Sequence, residues 1–176
     1  MTTLYLVRHG ETIDNAAQIL QGQVPGELNE RGLEQARQVR EQLRSTPLDA
    51  FVSSDLKRSI DTCAIIAGPH GRPVVTTPLL RERDWGSFTG KFIPDLKGRD
   101  WPDDVEPLEH LKHRAAQFMR WLCENYPGQR VLAVGHGIVN KAIQSVYYEK
   151  PMNELQKMGN AEVRILKLDE ALLARI

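Results

Sequence analysis

Short apolar runs alternate with longer stretches of helical period along this chain, and that alternation restricts the fold more than any other feature. Residues 3–7, 50–52, 73–76 and 131–134 read as strands. Between them lie helical stripes. Leu33, Ala36, Val39 and Leu43 form the first, with Asn29 at the N-cap position, Leu28 and Leu33 at staple positions, and Pro47 as the stop. Leu56, Ile60, Cys63, Ala64 and Ala67 form the second, with Ser54 or Asp55 as its cap and Gly68-Pro69 as its end. Leu108, Leu111, Ala115, Phe118 and Leu122 predict a long helix from Pro107 to near Pro127-Gly128, and Ile138, Val139, Ala142, Ile143 and Val146 line another. Residues 161–168 read as an edge strand. The pattern predicts an α/β fold, a three-layer α/β/α sandwich with a mainly parallel central sheet. The expected organisation is a single domain over residues 1–176, with a loop-rich insertion at about 84–106 where periodicity is lost.

Composition removes several function classes. At 176 residues the chain can bury most of its apolar surface, and 41% hydrophobic with 26% charged residues is an ordinary globular balance. The formal net charge is zero, so a bulk basic field for nucleic acid is not expected and any anion site rests on a few clustered arginines. No apolar stretch is long enough to cross a bilayer and no signal peptide precedes the first strand, which predicts a cytoplasmic protein without a membrane partner. Cys63 and Cys123 fall on helical stripes and read as reduced core thiols. Oligomeric state is not legible.

In open α/β sheets ligands bind beyond the carboxyl ends of the strands. The four expected strands lead into Arg8-His9-Gly10, Ser53-Ser54 with Arg58 soon after, Arg81-Glu82-Arg83-Asp84, and Gly135-His136-Gly137. One sheet edge would therefore gather two histidines, at least two arginines and a carboxylate. Phosphoryl transfer needs such a set. Arginine forks match phosphate oxygens, a neutral histidine can carry a phosphoryl group, and a carboxylic acid can protonate the departing oxygen.

At these residues the chain resembles the histidine phosphatase superfamily, the phosphoglycerate mutase-like group. Leu6-Val7-Arg8-His9-Gly10-Glu11-Thr12 is similar to its opening signature, residues 53–59 with Thr62 to its second motif, Leu80-Arg81-Glu82 with Gly86 and Gly90 to its acid-bearing segment, and Gly135-His136-Gly137 to its last motif. The resemblance implies catalytic roles for His9 as nucleophile, Glu82 as proton donor, and Arg8, Arg58 and His136 as phosphate ligands. It implies substrate contacts from Arg8, Asn15, Gln21, Gly22, Arg58, His136 and Gly137. It implies no metal and no cofactor, a small phosphorylated metabolite as partner, and a phosphatase of small phosphomonoesters.

Alternatives stay open at this point. Asp84 competes with Glu82 as the acid. Val24-Pro25-Gly26-Glu27 and Asn140 depart from the family pattern and loosen any transfer of substrate. A phosphoglycerate mutase-type phosphomutase shares the core, although the 84–106 insertion is short for one. A non-catalytic phospholigand-binding protein could use the same fold. His110 and His113 read as a solvated helix face and His70 as a surface turn residue. Trp85, Trp101 and Trp121 read as packing residues, with Trp85 and Phe88 as candidate walls of the substrate pocket.

Overall fold

A computed structural model describes residues 1–176. Its sheet consists of β1 (Thr2–Arg8), β2 (Ala50–Ser53), β3 (Val74–Thr76), β4 (Arg130–Gly135) and β5 (Val163–Leu168), in the order β3-β2-β4-β1-β5. The first four strands run parallel, and β5 lies antiparallel to β1 at the edge. The helices are α1 (Ile13–Ala17), α2 (Glu30–Gln42), α3 (Lys57–Ala67), α4 (Leu108–Asn125), α5 (Gly137–Tyr148) and α6 (Glu170–Arg175). The mixed α/β fold with a mostly parallel sheet agrees with the alternation in the sequence. None of the helices is long and apolar enough to cross a membrane.

Both faces of the sheet are covered, which explains why the strands read as continuous apolar runs. Leu4 and Leu6 of β1, with Val131 and Ala133 of β4, pack against Leu111, Ala115 and Phe118 of α4 and Ala142 and Ile143 of α5. Tyr5, Val7, Leu132 and Val134 point the other way and meet Val39 of α2 and Cys63 and Ile66 of α3. Each fully buried side chain of this kind contributes about 1.5–3 kcal/mol relative to exposure.

Some local expectations fail for identifiable reasons. Neither Ser54 nor Asp55 is the N-cap of α3; Leu56 holds that position without a side-chain cap bond. Both candidate side chains have tertiary partners instead. Asp55 accepts two hydrogen bonds from Arg81 at 2.7 and 2.6 Å, and Ser54 Oγ meets His136 Nε2 at 2.7 Å. Leu108 lies in α4 yet is exposed, while Arg114 and Met119 are buried alongside the stripe. Cys63 is a buried thiol, but Cys123 is only half-buried. Helices α1 and α6 escape the periodicity because they are too short to repeat a stripe. Each is announced by a cap: Thr12 accepts from the Asn15 amide and Asp169 from the Leu172 amide, both at 2.9 Å. By contrast, Asn29 caps α2 as expected, accepting from Gly32 N at 2.8 Å.

The parallel strands all deliver their carboxyl ends to one edge. Because β5 is antiparallel, the loop that precedes it arrives at that same edge. Residues 84–106 form no α-helix or strand. Three-residue and four-residue 3-10 turns occur at Gly86–Phe88 and Ile93–Leu96. This segment is tied to the 18–20 loop by backbone bonds from Leu20 N to Lys91 O, Gly90 N to Leu20 O, and Ile93 N to Gln18 O, at 2.7–3.0 Å.

Candidate active site

His9 follows the last residue of β1, and its amide donates to Gly135 O of the neighbouring strand at 3.1 Å. The next residue must be small: a Cβ on Gly10 would stand 2.5 Å from the Gly32 carbonyl oxygen, so only glycine lets this turn pack on the start of α2. His9 Nδ1 lies 2.6 Å from Gly10 O. A carbonyl oxygen only accepts, so Nδ1 carries the hydrogen and Nε2 keeps its lone pair. Burial, then the positive charges of Arg58, Arg8 and Lys157, hold the imidazole well below the ordinary histidine range, although the bond to Gly10 opposes them. His9 is therefore neutral at neutral pH.

A cavity of about 260 Å³ opens over this residue. The structure brings Arg8, His9, Asn15, Gln21, Gly22, Arg58 and Glu82 to its wall, together with Trp85. Arg8 Nη1 donates to Met158 O at 2.8 Å, and its buried Nε has no partner. Arg58, in the first turn of α3, is 1% exposed. Its guanidinium donates to Gly22 O at 2.7 Å and Val24 O at 2.5 Å, which pins the 22–25 loop, while Nε stays without a partner. Burial lowers its pKa to about 10, against the opposing pull of Glu82, so it remains charged at neutral pH. Gly26, at φ +73°, lies over this guanidinium; a Cβ there would sit 2.8 Å from Arg58 Cδ.

Glu82 is oriented by backbone. Its Oε2 accepts from Ile138 N at 3.0 Å, and its Oε1 accepts from Val139 N at 2.9 Å and Arg83 N at 2.8 Å. Two of these donors belong to the open N-terminus of α5, whose first-turn amides have no intrahelical acceptor. Asp84, the competing acid, is exposed, bonds the Gly86 amide and is absent from the cavity wall. Asn15 closes a capping box with Thr12, and its Nδ2 reaches Gln21 Oε1 at 3.3 Å. Gln21 also accepts from Thr12 Oγ1, leaving its buried Nε2 without a partner.

His136 and Gly137 do not line the open cavity. The His136 ring stands behind His9, with ring centroids 5.1 Å apart. Its Nε2 is held by Ser54 Oγ at 2.7 Å and Ser59 Oγ at 3.1 Å, and its buried Nδ1 has no protein partner. Burial, Arg58, His9 and Arg8 lower its pKa well below the usual range. The glycine after it leaves room for Lys157, whose side chain a Cβ at Gly137 would strike.

Lys157 also lines the cavity, and no motif in the sequence pointed to it. Burial and the nearby Arg8 lower its pKa, with Glu82 opposing. The signal that could have found it is topological: an antiparallel edge strand brings the segment before it to the carboxyl edge of its parallel neighbours. Three cations thus face one carboxylate in this pocket. Elsewhere, His110 pairs with Glu106 at 2.6 Å and His113 is exposed. No group of three or more His, Cys, Asp or Glu side chains is arranged to hold a metal ion.

Neutral imidazole, clustered guanidinium groups and a helix-bound carboxylate at the carboxyl edge of a mostly parallel sheet define a phosphoryl-transfer class of α/β protein. The sequence profile of the histidine phosphatase superfamily (branch 1) matches residues 4–173, and the chain belongs to that family. It is 34% identical to a metal-independent phosphoserine phosphatase of Arabidopsis thaliana, over 96% of this chain and 77% of the relative. It is 30% identical to a probable phosphoglycerate mutase GpmB of Enterobacter sp., over 96% of this chain and 85% of that one. Its structure is similar to that of Bacillus stearothermophilus YhfR, with a TM-score of 0.91 and 27% identity, covering 97% of this chain and 93% of the other.

Proposed function

We propose that this protein hydrolyses small phosphomonoesters through a phosphohistidine on Nε2 of His9. The observation that carries the proposal is the His9 Nδ1 to Gly10 O bond, which leaves the Nε2 lone pair free in a neutral ring among three cations. Nε2 attacks phosphorus as the ester P–O bond breaks in line with it. Arg8, Arg58 and Lys157 neutralise the phosphoryl oxygens, and the unpartnered Nδ1 of His136 supplies a further donor once Nε2 accepts from a serine hydroxyl. Glu82 Oε2 accepts only one amide, so its second lone pair can carry the proton that passes to the departing oxygen. Water then enters. Glu82 takes its proton, hydroxide oxygen bonds phosphorus, and the P–N bond breaks to release phosphate and restore His9.

Quenching the enzyme during turnover of a phosphoryl-labelled substrate tests this reading. An acid-labile label on the protein is expected, absent from His9→Ala. A label that persists in His9→Ala refutes the assignment. The mutase reading is tested by adding 3-phosphoglycerate with a trace of bisphosphoglycerate. Release of phosphate without isomerisation is expected, because residues 84–106 provide no long element to close over the phosphohistidine.

A further inference from the structure

A second cavity, of about 300 Å³, adjoins the catalytic one. Leu20, Trp85 and Ile93 line both, so the two are continuous. Beyond that shared wall the second cavity is bounded by Phe88, Leu96 and Trp101, and Lys97 is its one charged residue. Trp101 and Ile93 are 55% and 47% exposed, an apolar surface that folding leaves unfilled. The walls are also braced. The Arg83 guanidinium lies 5.0 Å from the Trp85 ring centre and 4.7 Å from that of Trp101. Arg83 Nε in turn donates to Glu106 O at 2.7 Å, and the Glu106 carboxylate pairs with Arg114 at 2.8 Å. The two indoles are thus linked through Arg83 and Glu106 to Arg114 of α4.

The three catalytic-cavity cations all act on His9, where the phosphoryl group would sit. A carboxylate on the organic part would meet only Leu20, Trp85 and Ile93 along the shared wall, and a single cation, Lys97, against six apolar residues in the second cavity. From this we infer that the second cavity receives the leaving-group end of the substrate, and that this end is an uncharged aromatic ring stacked among Trp85, Phe88 and Trp101. The inference rests on the phosphatase reading above and adds the substrate class. A cavity of roughly 150 Å³ already accommodates benzene, so the volume suffices for a larger ring. Aromatic walls favour offset or edge-to-face stacking with such a ring.

Steady-state kinetics with alkyl esters tests it, since matched leaving groups keep intrinsic reactivity similar. The panel is 2-phenylethyl phosphate, n-octyl phosphate, glycerol 1-phosphate, O-phosphoserine and 3-phosphoglycerate. The expected result is a kcat/KM for 2-phenylethyl phosphate at least about tenfold above every other member, the scale on which apolar pockets discriminate. Trp101→Ala and Leu96→Asp should erase most of that advantage through KM with kcat retained, and circular dichroism reports that each variant is folded. Equal or faster turnover of O-phosphoserine or 3-phosphoglycerate overturns the inference and leaves the phosphatase reading standing. So does an equal loss on all esters in both variants. Preference for n-octyl phosphate overturns the ring assignment. Absence of turnover and of phosphoenzyme with every ester removes the phosphatase reading itself, and the inference with it.

Discussion

His9, Arg58 and His136 are at most 3% exposed, whereas Phe92, Ile93 and Trp101 are 43%, 47% and 55% exposed. The first three stand at strand ends or in a helix's first turn, held by hydrogen bonds to backbone or to neighbouring serines. The other three lie in a segment of 3-10 turns, and Phe92 joins the 18–20 loop only through an isolated bridge with Ile19. The difference teaches where precision is needed. A phosphoryl group must meet its nucleophile and donors within tenths of an ångström, so those groups are built on rigid elements. In the proposed reading, recognition of the organic part falls to a surface loop, where contacts can be looser.

The comparison predicts large effects at the buried end and small ones at the rim. Glu82→Gln should reduce kcat by roughly 10²–10⁴-fold, the scale of one acid–base group, with the fold intact by circular dichroism. Turnover close to wild type would move the acid role elsewhere. Lys157→Met should lower kcat/KM by about tenfold, less than loss of a fully buried donor, because this side chain reaches the site from a loop. An effect as large as that of Glu82→Gln would erase the distinction between strand-end and loop-borne groups. Asp84→Asn, whose carboxylate only bonds the Gly86 amide, should keep kcat within about twofold.

The remaining prediction concerns acid stability rather than turnover. His9 and His136 are buried neutral and bind protons less readily in the folded state than in the unfolded chain. Below about pH 6.5 the unfolded state therefore takes up protons that the native state refuses, and stability falls with falling pH. Each group contributes up to about 1.4 kcal/mol per pH unit in that window. Denaturant unfolding at pH 7 and pH 5 should show the loss, and His136→Asn should show less of it. A slope unchanged in that variant would mean that other groups dominate.

Much of the buried end was legible beforehand. Strand 3–7 with His9 at its exit, the Gly135-His136-Gly137 turn and the stripes of α2 and α5 follow from period and punctuation, which are local properties. The same reading misplaced the cap of α3, because Ser54 and Asp55 fill the role of a cap equally well in sequence but have distant partners in space. It overlooked α1, whose capping box places Asn15, since five residues are too few to show periodicity.

The order of charged and apolar residues along the chain determined an α/β fold and the strand exits at which His9, Arg58, Glu82 and His136 would gather. Hydrogen-bond commitments and distances were decided only by tertiary structure: the two serines on His136, the two α5 amides on Glu82, the arrival of Lys157 from beside an antiparallel strand, and the joining of two cavities at Leu20, Trp85 and Ile93. The physical reason is that local propensity acts over a few residues. These contacts join segments up to 148 positions apart, as between His9 and Lys157, and exist only once the sheet has set their spacing.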